Sequence, residues 1–332
     1  MTAVNIVDVA SWLPDHWMTA AEIGERSDIP EDIIVNRFGL EGKHIAGPED
    51  HNSDMSARAG LLALERAGLR PEDVDVVAYF GSMWRDYEDW SVSPKIMQLM
   101  GATNAWALEM ANVSCVAPVA LKVASDFLRG AADVDTLLLV GASRESHLLD
   151  YSNERSRFMF NFGDGGAAAV LSKSRPGHEI ISSAIITDGE FADDVAVYAG
   201  GSKHPATHQT IDSGMHYLDV GDPVSMKERL DPVSGPNFIK VARQAIERAG
   251  ITTADLALMV PLHFKRSFFD WVLQELQIPE EKTVYLKTTG HMSGIDPIVG
   301  LAERREDLNP GDYVLLISAG TGYTWAANVV RW

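Results

Sequence analysis

The sequence predicts an α/β protein built from two related halves, because two pairs of similar segments recur along it. Segments 63–82 (ALERAGLRPEDVDVVAYFGS) and 245–264 (AIERAGITTADLALMVPLHF) each predict a helix, a short turn and a continuous apolar strand. Segments 135–143 (DTLLLVGAS) and 312–320 (DYVLLISAG) each predict a buried strand that follows an aspartate and ends in small residues. Helices that alternate with strands buried on both faces are typical of α/β folds. We expect an N-terminal half over 1–174 and a C-terminal half over 175–332.

The remaining elements are predicted in chain order from the same signals. Gly68 and Gly250 each follow a helical pattern at a position suited to a helix C-cap. The runs 74–80 and 256–260 predict strands buried on both faces, and 106–110 predicts another buried strand. The segment 189–236, rich in Gly, Asp, His and Ser, breaks this rhythm and predicts a loop or lid.

Composition and charge limit the possible functions. The chain has 332 residues, of which 46% are hydrophobic, enough for a substantial core. It carries 28 Lys and Arg against 47 Asp and Glu, a formal net charge of -19, which argues against a nucleic-acid partner. A single cysteine excludes an intramolecular disulfide and a Cys-rich metal site. His204, His208 and His216 lack a diagnostic spacing with carboxylates, so we expect no metal.

Nothing in the sequence predicts attachment to a membrane. The first residues lack a basic region followed by a long apolar core, so no signal peptide is predicted. No stretch approaches the ~20 apolar residues that cross a bilayer. We expect a cytoplasmic protein.

The lone cysteine, Cys115, stands where a helix is predicted to begin. Apolar residues follow it at helical spacing, Pro118 suits the first turn, and Gly130 suits the end. The helix dipole and free N–H groups at that position favour a thiolate and can hold an oxyanion. The alternative is a small buried apolar residue, which is common for a free cysteine.

Two histidines stand where the repeat predicts an active centre. His263 ends the apolar strand of the second half, and His291 lies in YLKTTGHMSGIDP, a predicted strand-to-helix turn that is the counterpart of the Cys115 turn. Related halves that pack face to face would bring these turns together, and a nucleophilic cysteine needs a nearby base or proton donor. Singly, each histidine is more typical of a surface or capping residue.

Four stretches resemble the thiolase superfamily, specifically β-ketoacyl-acyl-carrier-protein synthase III and its relatives. They are NRFGLEGKHIAGPE (36–49), NVSCVAPVAL (112–121), FNFGDGGAAAVL (160–171) and ISAGTGYTWAANVVRW (317–332). They follow the family's order and span nearly the whole chain. The resemblance implies the thiolase fold, a five-layered αβαβα arrangement of duplicated βα halves, in a homodimer.

The resemblance also implies catalytic roles. Cys115 matches the acyl-accepting nucleophile, and its N–H matches one oxyanion donor, with the N–H of Thr321 as the other. His263 matches the histidine of the family's Pro-His-Gln-Ala-Asn motif, although Leu262 intervenes and different residues follow. His291 falls where synthase III has an active-site asparagine. In this respect the turn resembles synthases I and II, which use a cysteine and two histidines.

Further positions match or neighbour substrate-binding sites of the family. Arg37 matches a residue that contacts the coenzyme A nucleotide, and Lys265 with Arg266 predicts a basic patch for a phosphate of coenzyme A or phosphopantetheine. Trp84 and Trp90 lie in a stretch that the family uses at the dimer interface and acyl tunnel, where either could favour short acyl groups. The alternative for the basic pair is a solvated surface.

These features predict a ping-pong acyltransferase with no bound cofactor and with acyl-CoA or acyl carrier protein as thioester substrate. Decarboxylative Claisen condensation in a specialised, secondary metabolic pathway is the main hypothesis, within fatty acid or polyketide chemistry. Non-condensing transfer to a hydroxyl, amine or activated carbon is the second hypothesis. A non-catalytic thiolase-fold partner subunit is the third.

Overall fold

The computed structural model describes residues 2–332, and the strands over this range form one large and two small sheets. The strands are β1 (Asn5–Trp12), β2 (Trp17–Thr19), β3 (Gly42–His44), β4 (Val76–Tyr79), β5 (Trp106–Glu109), β6 (Thr136–Ser143), β7 (Gly165–Ser172), β8 (His178–Thr187), β9 (Val195–Val197), β10 (Leu218–Val220), β11 (Leu256–Pro261), β12 (Tyr313–Gly320) and β13 (Thr324–Arg331).

The α-helices are α1 (Ala20–Ser27), α2 (Glu31–Ile33), α3 (Asn52–Arg66), α4 (Val92–Met100), α5 (Val116–Gly130), α6 (His208–Asp212), α7 (Pro223–Arg248), α8 (Arg266–Leu276) and α9 (Asp296–Arg304). A π-helical turn covers Ile34–Phe38. Short 3₁₀ turns cover Pro71–Asp73, Val113–Cys115, Glu145–Leu148, Glu154–Met159, Gly189–Phe191, Thr253–Asp255, Glu280–Lys282, Ser293–Ile295 and Arg305–Asp307. No helix between residues 2 and 332 is long and apolar enough to cross a membrane.

The large sheet has the order β11-β12-β13-β8-β1-β7-β6-β4-β5. β4 pairs parallel with β6, and β6 pairs antiparallel with β7. β11 pairs parallel with β12, and β12 pairs antiparallel with β13. This repeated arrangement confirms the two predicted pairs of strands. The halves join through two residue pairs of β1 and β8, Asn5 with Glu179 and Ile6 with His178. The domain boundary at 174/175 stays a prediction.

Three apolar clusters explain the layering. Alternate side chains of each half-sheet point to opposite faces. The inner cluster packs α5 and α9 between the two half-sheets, joining Val76 of β4 and Val260 of β11. One outer cluster packs α3 and α4 on the N-terminal strands, and the other packs α7 and α8 on the C-terminal strands. The layers therefore run helix, strand, helix, strand, helix, and the first turns of α5 and α9 lie at the centre.

Three elements differ from the sequence predictions. β5 is an edge strand, not a buried one, and Trp106 on it is 46% exposed. Before His291 the corresponding strand is reduced to a bridge between Met259 and Thr283. The segment 189–236 is not only a loop, because β9 and β10 pair within it and α7 begins in it. α7 continues through two internal prolines because its C-terminal half packs into the outer cluster.

Candidate active site

Cys115 is completely buried at the start of α5, where the two halves meet. The 3₁₀ turn Val113–Cys115 leads into the helix, and Val113 has a left-handed φ of 45°. The thiol Sγ donates to the carbonyl oxygen of Ser318 on β12, 3.5 Å away. The hydroxyl of Ser318 donates to the carbonyl oxygen of Ser114 at 2.5 Å. Strand β12 of the C-terminal half thus holds the cysteine turn of the N-terminal half.

The thiol of Cys115 differs from the expectation of a stabilised thiolate. Burial raises its pKa well above the ordinary value, and a backbone hydrogen bond at Ala326 opposes this only in part. Removal from water penalises the charged form of the thiol. Cys115 is therefore a protonated thiol that needs a proton acceptor during attack.

His291 lies between a carboxylate and a hydroxyl beside Cys115. Its Nδ1 donates to Oδ2 of Asp296 at 2.6 Å, and its Nε2 lies 2.8 Å from Oγ of Ser114. An ionised carboxylate only accepts, so the Nδ1 proton is fixed and the neutral ring accepts the Ser114 hydroxyl proton at Nε2. A serine, a histidine and an aspartate in this order can move a proton at the first turn of α5.

Asp296 also raises the basicity of His291. Burial lowers the pKa of His291, but attraction to Asp296 and their hydrogen bond outweigh burial and leave that pKa raised. Asp296 is fully buried, and its other oxygen accepts the backbone N–H of Met292 at 2.7 Å. His291 is therefore a stronger base than an ordinary histidine.

His263 lies at the end of β11 and is tied to the same aspartate. Its backbone N–H donates to Oδ2 of Asp296 at 2.8 Å. Its ring Nδ1 is 2.8 Å from Nδ2 of Asn161, and its Nε2 is 3.3 Å from the carbonyl oxygen of Gly39. Burial lowers the pKa of His263 to about 4, with partial compensation from Gly39 and Asp296. The structure thus connects His263 and His291 through Asp296, and it connects His291 to Ser114, the neighbour of Cys115.

The Gly320 turn, which contains the predicted oxyanion donor Thr321, packs directly on the cysteine turn. A Cβ atom on Gly320 would lie 2.6 Å from the backbone nitrogen of Cys115 and 2.9 Å from that of Ser114. The N–H of Cys115 donates to the carbonyl oxygen of Asn112 at 3.0 Å. The oxyanion roles of Cys115 and Thr321 stay predictions, and an oxyanion would have to share the Cys115 proton with Asn112.

The two residues of the predicted basic patch differ in how they are paired. Arg266 makes a two-pronged ion pair with Glu280, at 2.8 and 2.7 Å, and a third contact with Asp270 at 2.8 Å. These carboxylates raise its pKa and engage three of its five N–H donors, and its role in phosphate binding stays a prediction. Within residues 2–332, Lys265 and Arg37 are exposed and lie farther than 4.0 Å from any carboxylate. Both remain candidates for phosphate binding.

The two tryptophans predicted for acyl binding contact different parts of the N-terminal half. Trp90 is half-buried and packs beside the outer cluster of α3 and α4, on the sheet face opposite to α5. Its predicted place at the dimer interface and acyl tunnel stays a prediction. Trp84 is half-buried, and its backbone is held by Ser82 and Asn52. Its predicted role in acyl binding stays a prediction.

Three residues of the site were missed by sequence reasoning. Asp296 follows His291 by five residues, a spacing that a search for a carboxylate partner of the histidine could have found. Ser114 directly precedes the cysteine. Asn161 interrupts the apolar start of FNFGDGG, and an amide in such a run is a signal of a buried hydrogen bond.

The described residues contain no group of three or more His, Cys, Asp or Glu side chains placed to hold a metal. His204, His208 and His216 all lie exposed near α6 and β10. The polar groups of the site instead contact one another across the two halves.

Family models and known proteins agree with this architecture. The model for 3-oxoacyl-[acyl-carrier-protein] synthase III matches residues 108–189, and the model for its C-terminal part matches residues 246–332. The first match contains Cys115, and the second contains His263, His291 and Thr321. Together the two matches cover just over half of the chain.

Similarity extends along the whole chain. A β-ketoacyl-[acyl-carrier-protein] synthase III of Roseiflexus castenholzii is 28% identical, covering 99% of this chain and 98% of the relative. The synthase III structure from Thermus thermophilus has a TM-score of 0.84 at 25% identity and covers 99% of each chain. The priming β-ketosynthase of the R1128 polyketide pathway has a TM-score of 0.86 at 24% identity, covering 99% and 96%. The chain therefore has the thiolase fold and belongs to the 3-oxoacyl-[acyl-carrier-protein] synthase III family.

Proposed function

We propose that this acyltransferase is a condensing enzyme that carries an acyl group on Cys115. The juxtaposition of Cys115 and Ser114 at the start of α5 with the His291–Asp296 pair of the opposite half is the observation that carries the proposal. A nucleophile, a base and a carboxylate that orients the base are the parts that acyl transfer requires. Acyl-CoA and acyl carrier protein are the proposed thioester substrates.

In the first half-reaction, the sulfur of Cys115 attacks the thioester carbonyl carbon. The carbon–sulfur bond to the carrier breaks, the carrier thiolate leaves, and the thiol proton of Cys115 passes to the protein and then to that thiolate. The buried thiol is protonated at neutral pH, so attack is coupled to proton transfer. The Ser114 hydroxyl and His291 provide a route for this proton.

In the second half-reaction, a malonyl-type thioester loses carbon dioxide and its enolate carbon attacks the acyl group on Cys115. A carbon–carbon bond forms, the bond between the acyl carbon and the Cys115 sulfur breaks, and the departing sulfur takes up a proton that restores the thiol. The negative charge develops on the thioester oxygen, where histidine N–H donors stabilise it. We propose the neutral His263 as one such donor.

The raised pKa of His291 favours a second candidate, transfer to a hydroxyl or amine. A histidine paired with a buried carboxylate is suited to remove a proton from an attacking oxygen or nitrogen. The Asp296 partner and the unusual residues after His263 support a specialised, secondary metabolic role over initiation of ordinary fatty acid synthesis. The expected homodimer and cytoplasmic location remain part of this proposal.

A two-stage experiment separates the candidates. The protein is first incubated with acyl-CoA donors of increasing length, and the acyl-enzyme is isolated. Malonyl thioesters labelled in the free carboxylate, or alcohol and amine acceptors, are then added. Labelled carbon dioxide with loss of the adduct supports condensation, whereas loss of the adduct only with alcohols or amines supports the second candidate. Absence of any adduct would instead favour a non-catalytic partner subunit.

A further inference from the structure

The buried amide of Asn161 contacts the ring of His263, and neither the sequence patterns nor the family resemblance assigned a role to it. Asn161 is 7% exposed and His263 is 3% exposed. Nδ2 of Asn161 lies 2.8 Å from Nδ1 of His263, while Oδ1 of the same amide has no hydrogen-bond partner within residues 2–332. Leaving one end of a buried amide without a hydrogen bond costs free energy. The presence of Asn161 at this position therefore calls for an explanation.

The opposite side of the ring decides the direction of this hydrogen bond. Nε2 of His263 faces the carbonyl oxygen of Gly39 at 3.3 Å, and a carbonyl oxygen can only accept. The proton of a neutral ring therefore sits on Nε2, and Nδ1 is bare. A bare Nδ1 can only accept, so Asn161 presents its NH₂ group rather than its oxygen. The pKa of about 4 keeps this ring neutral at physiological pH.

The backbone holds Asn161 in a single orientation. The ammonium group of Lys43, itself fully buried, donates to the carbonyl oxygens of Phe160 and Phe162 at 2.8 and 2.7 Å. These carbonyls flank Asn161 on both sides. The carbonyl of Asn161 accepts the N–H of His291 at 2.9 Å. Lys43 and His291 thus fix the segment from which the amide reaches His263.

We propose that Asn161 is a positioning residue that holds His263 as the neutral tautomer with its proton on Nε2, and that Lys43 fixes Asn161 for this task. The inference rests on the proposed function of His263 as an N–H donor to the developing enolate oxygen. The contact to Gly39 is long at 3.3 Å, so this carbonyl oxygen is only a weak partner for the N–H. An enolate oxygen is a stronger acceptor and would replace it.

The tautomer can be measured directly by ¹⁵N NMR of histidine-labelled protein, with His263→Gln used to assign the signals. We expect wild-type His263 at pH 7 to carry its proton on Nε2. Asn161→Asp places a carboxylate against Nδ1, so the proton should move to Nδ1 and the pKa of His263 should rise. Thr289→Val is the matched control, because the Thr289 hydroxyl is also a buried polar group without a hydrogen-bond partner within residues 2–332. This variant should leave the tautomer unchanged. An Nδ1 proton in wild type, or an unchanged tautomer in Asn161→Asp, would overturn the inference.

The titratable groups around His263 are Asp296 and His291, which act through their charges, and Tyr285, which stacks on the ring at 5.3 Å. Because these residues are unchanged in Asn161→Asp, a reversed tautomer is attributable to Asn161. The wild-type tautomer is measured without Asn161→Asp, so an Nδ1 proton there would overturn the inference even if that variant fails to fold.

Kinetics link the tautomer to turnover. In Asn161→Asp, we expect acylation of Cys115 to persist while the second half-reaction slows by about 100-fold or more, with little change in KM. Wild-type rates for both half-reactions in this variant would overturn the positioning role. No acylation of wild-type Cys115 would contradict the proposed function instead, and the NMR result would stand separately.

Discussion

The Nδ1 atom of His291 lies 2.6 Å from Oδ2 of Asp296, and the same oxygen accepts the backbone N–H of His263. One buried carboxylate therefore orients both histidines of the site. The arrangement unites residues of a single turn, 291–296, with the end of β11. Its consequence is an asymmetric pair of rings: the pKa of His291 is raised, whereas the pKa of His263 is lowered to about 4.

The first prediction concerns Asp296→Asn. An asparagine would offer N–H to Nδ1 of His291, reverse its tautomer and remove the charge that raises its pKa. We expect acylation of Cys115, in which His291 carries the thiol proton, to slow by about 10²–10⁴-fold, measured in single turnovers with acyl-CoA. Asp126→Asn on α5, whose carboxylate pairs with Lys122 and Arg129, is the control and should keep the wild-type rate. An unchanged rate in Asp296→Asn would exclude His291 as a proton carrier.

The second prediction is a pH dependence of stability from His263. The pKa of His263 falls from 6.5 in the unfolded chain to about 4 in the fold, so between these values the unfolded chain binds more protons. The contribution of His263 to the free energy of unfolding is present above pH 6.5 and is lost as the pH falls towards 4. In total it amounts to about 3 kcal/mol. Chemical denaturation of wild type and His263→Gln at pH 7 and pH 4.5 checks this. Wild type should lose more stability between pH 7 and pH 4.5 than His263→Gln does. Equal losses in the two proteins would contradict the lowered pKa of His263.

The third prediction concerns the reactivity of the thiol. Because burial raises the pKa of Cys115, alkylation by iodoacetamide should become faster with rising pH and still be increasing at pH 9. Cys115 is the only cysteine, so every alkylated molecule reports on it, and Cys115→Ala is the blank. A plateau at neutral pH would instead indicate the thiolate expected from the helix position alone.

The fourth prediction tests the contact between the Gly320 turn and the cysteine turn. A methyl group on Gly320 would meet the backbone nitrogen of Cys115 at 2.6 Å, so the turns must separate. We expect Gly320→Ala to cost about 1–3 kcal/mol of stability and to slow acylation of Cys115. Gly130→Ala, where a Cβ atom meets nothing within 4 Å, should keep both properties. Acylation of Gly320→Ala at the wild-type rate would show that this contact does not shape the oxyanion site.

The fifth prediction separates Lys265 from Arg266. Lys265 is exposed and pairs with no carboxylate among residues 2–332, so Lys265→Ala should raise KM for acyl-CoA while kcat stays near wild type, and added salt should reduce the difference. Arg266 is held by Glu280 and Asp270, so Arg266→Ala should lower the melting temperature without a comparable rise in KM. Equal increases of KM in the two variants would contradict this distinction and indicate that both residues bind the phosphate.

Local patterns were sufficient to predict the fold and part of the site. Strands β4, β6, β11 and β12 and helix α5 follow from apolar periodicity and capping glycines, which are encoded within each segment. The symmetry of the halves then pointed to Cys115 and His291. Ser114, Asn161 and Asp296 depend on contacts between distant segments, such as the 177 residues that separate Ser114 from His291. The ion pair of Arg266 with Glu280, which lies on another turn, likewise depends on a contact between separate segments.

The most direct measurement is mass spectrometry of the tryptic peptide 96–122 after incubation with acyl-CoA or acyl carrier protein. We predict an acyl adduct on Cys115 in wild type that is absent in Cys115→Ala and that disappears when a second substrate is added. An unmodified peptide with every donor, or an adduct located on another residue, would contradict the account.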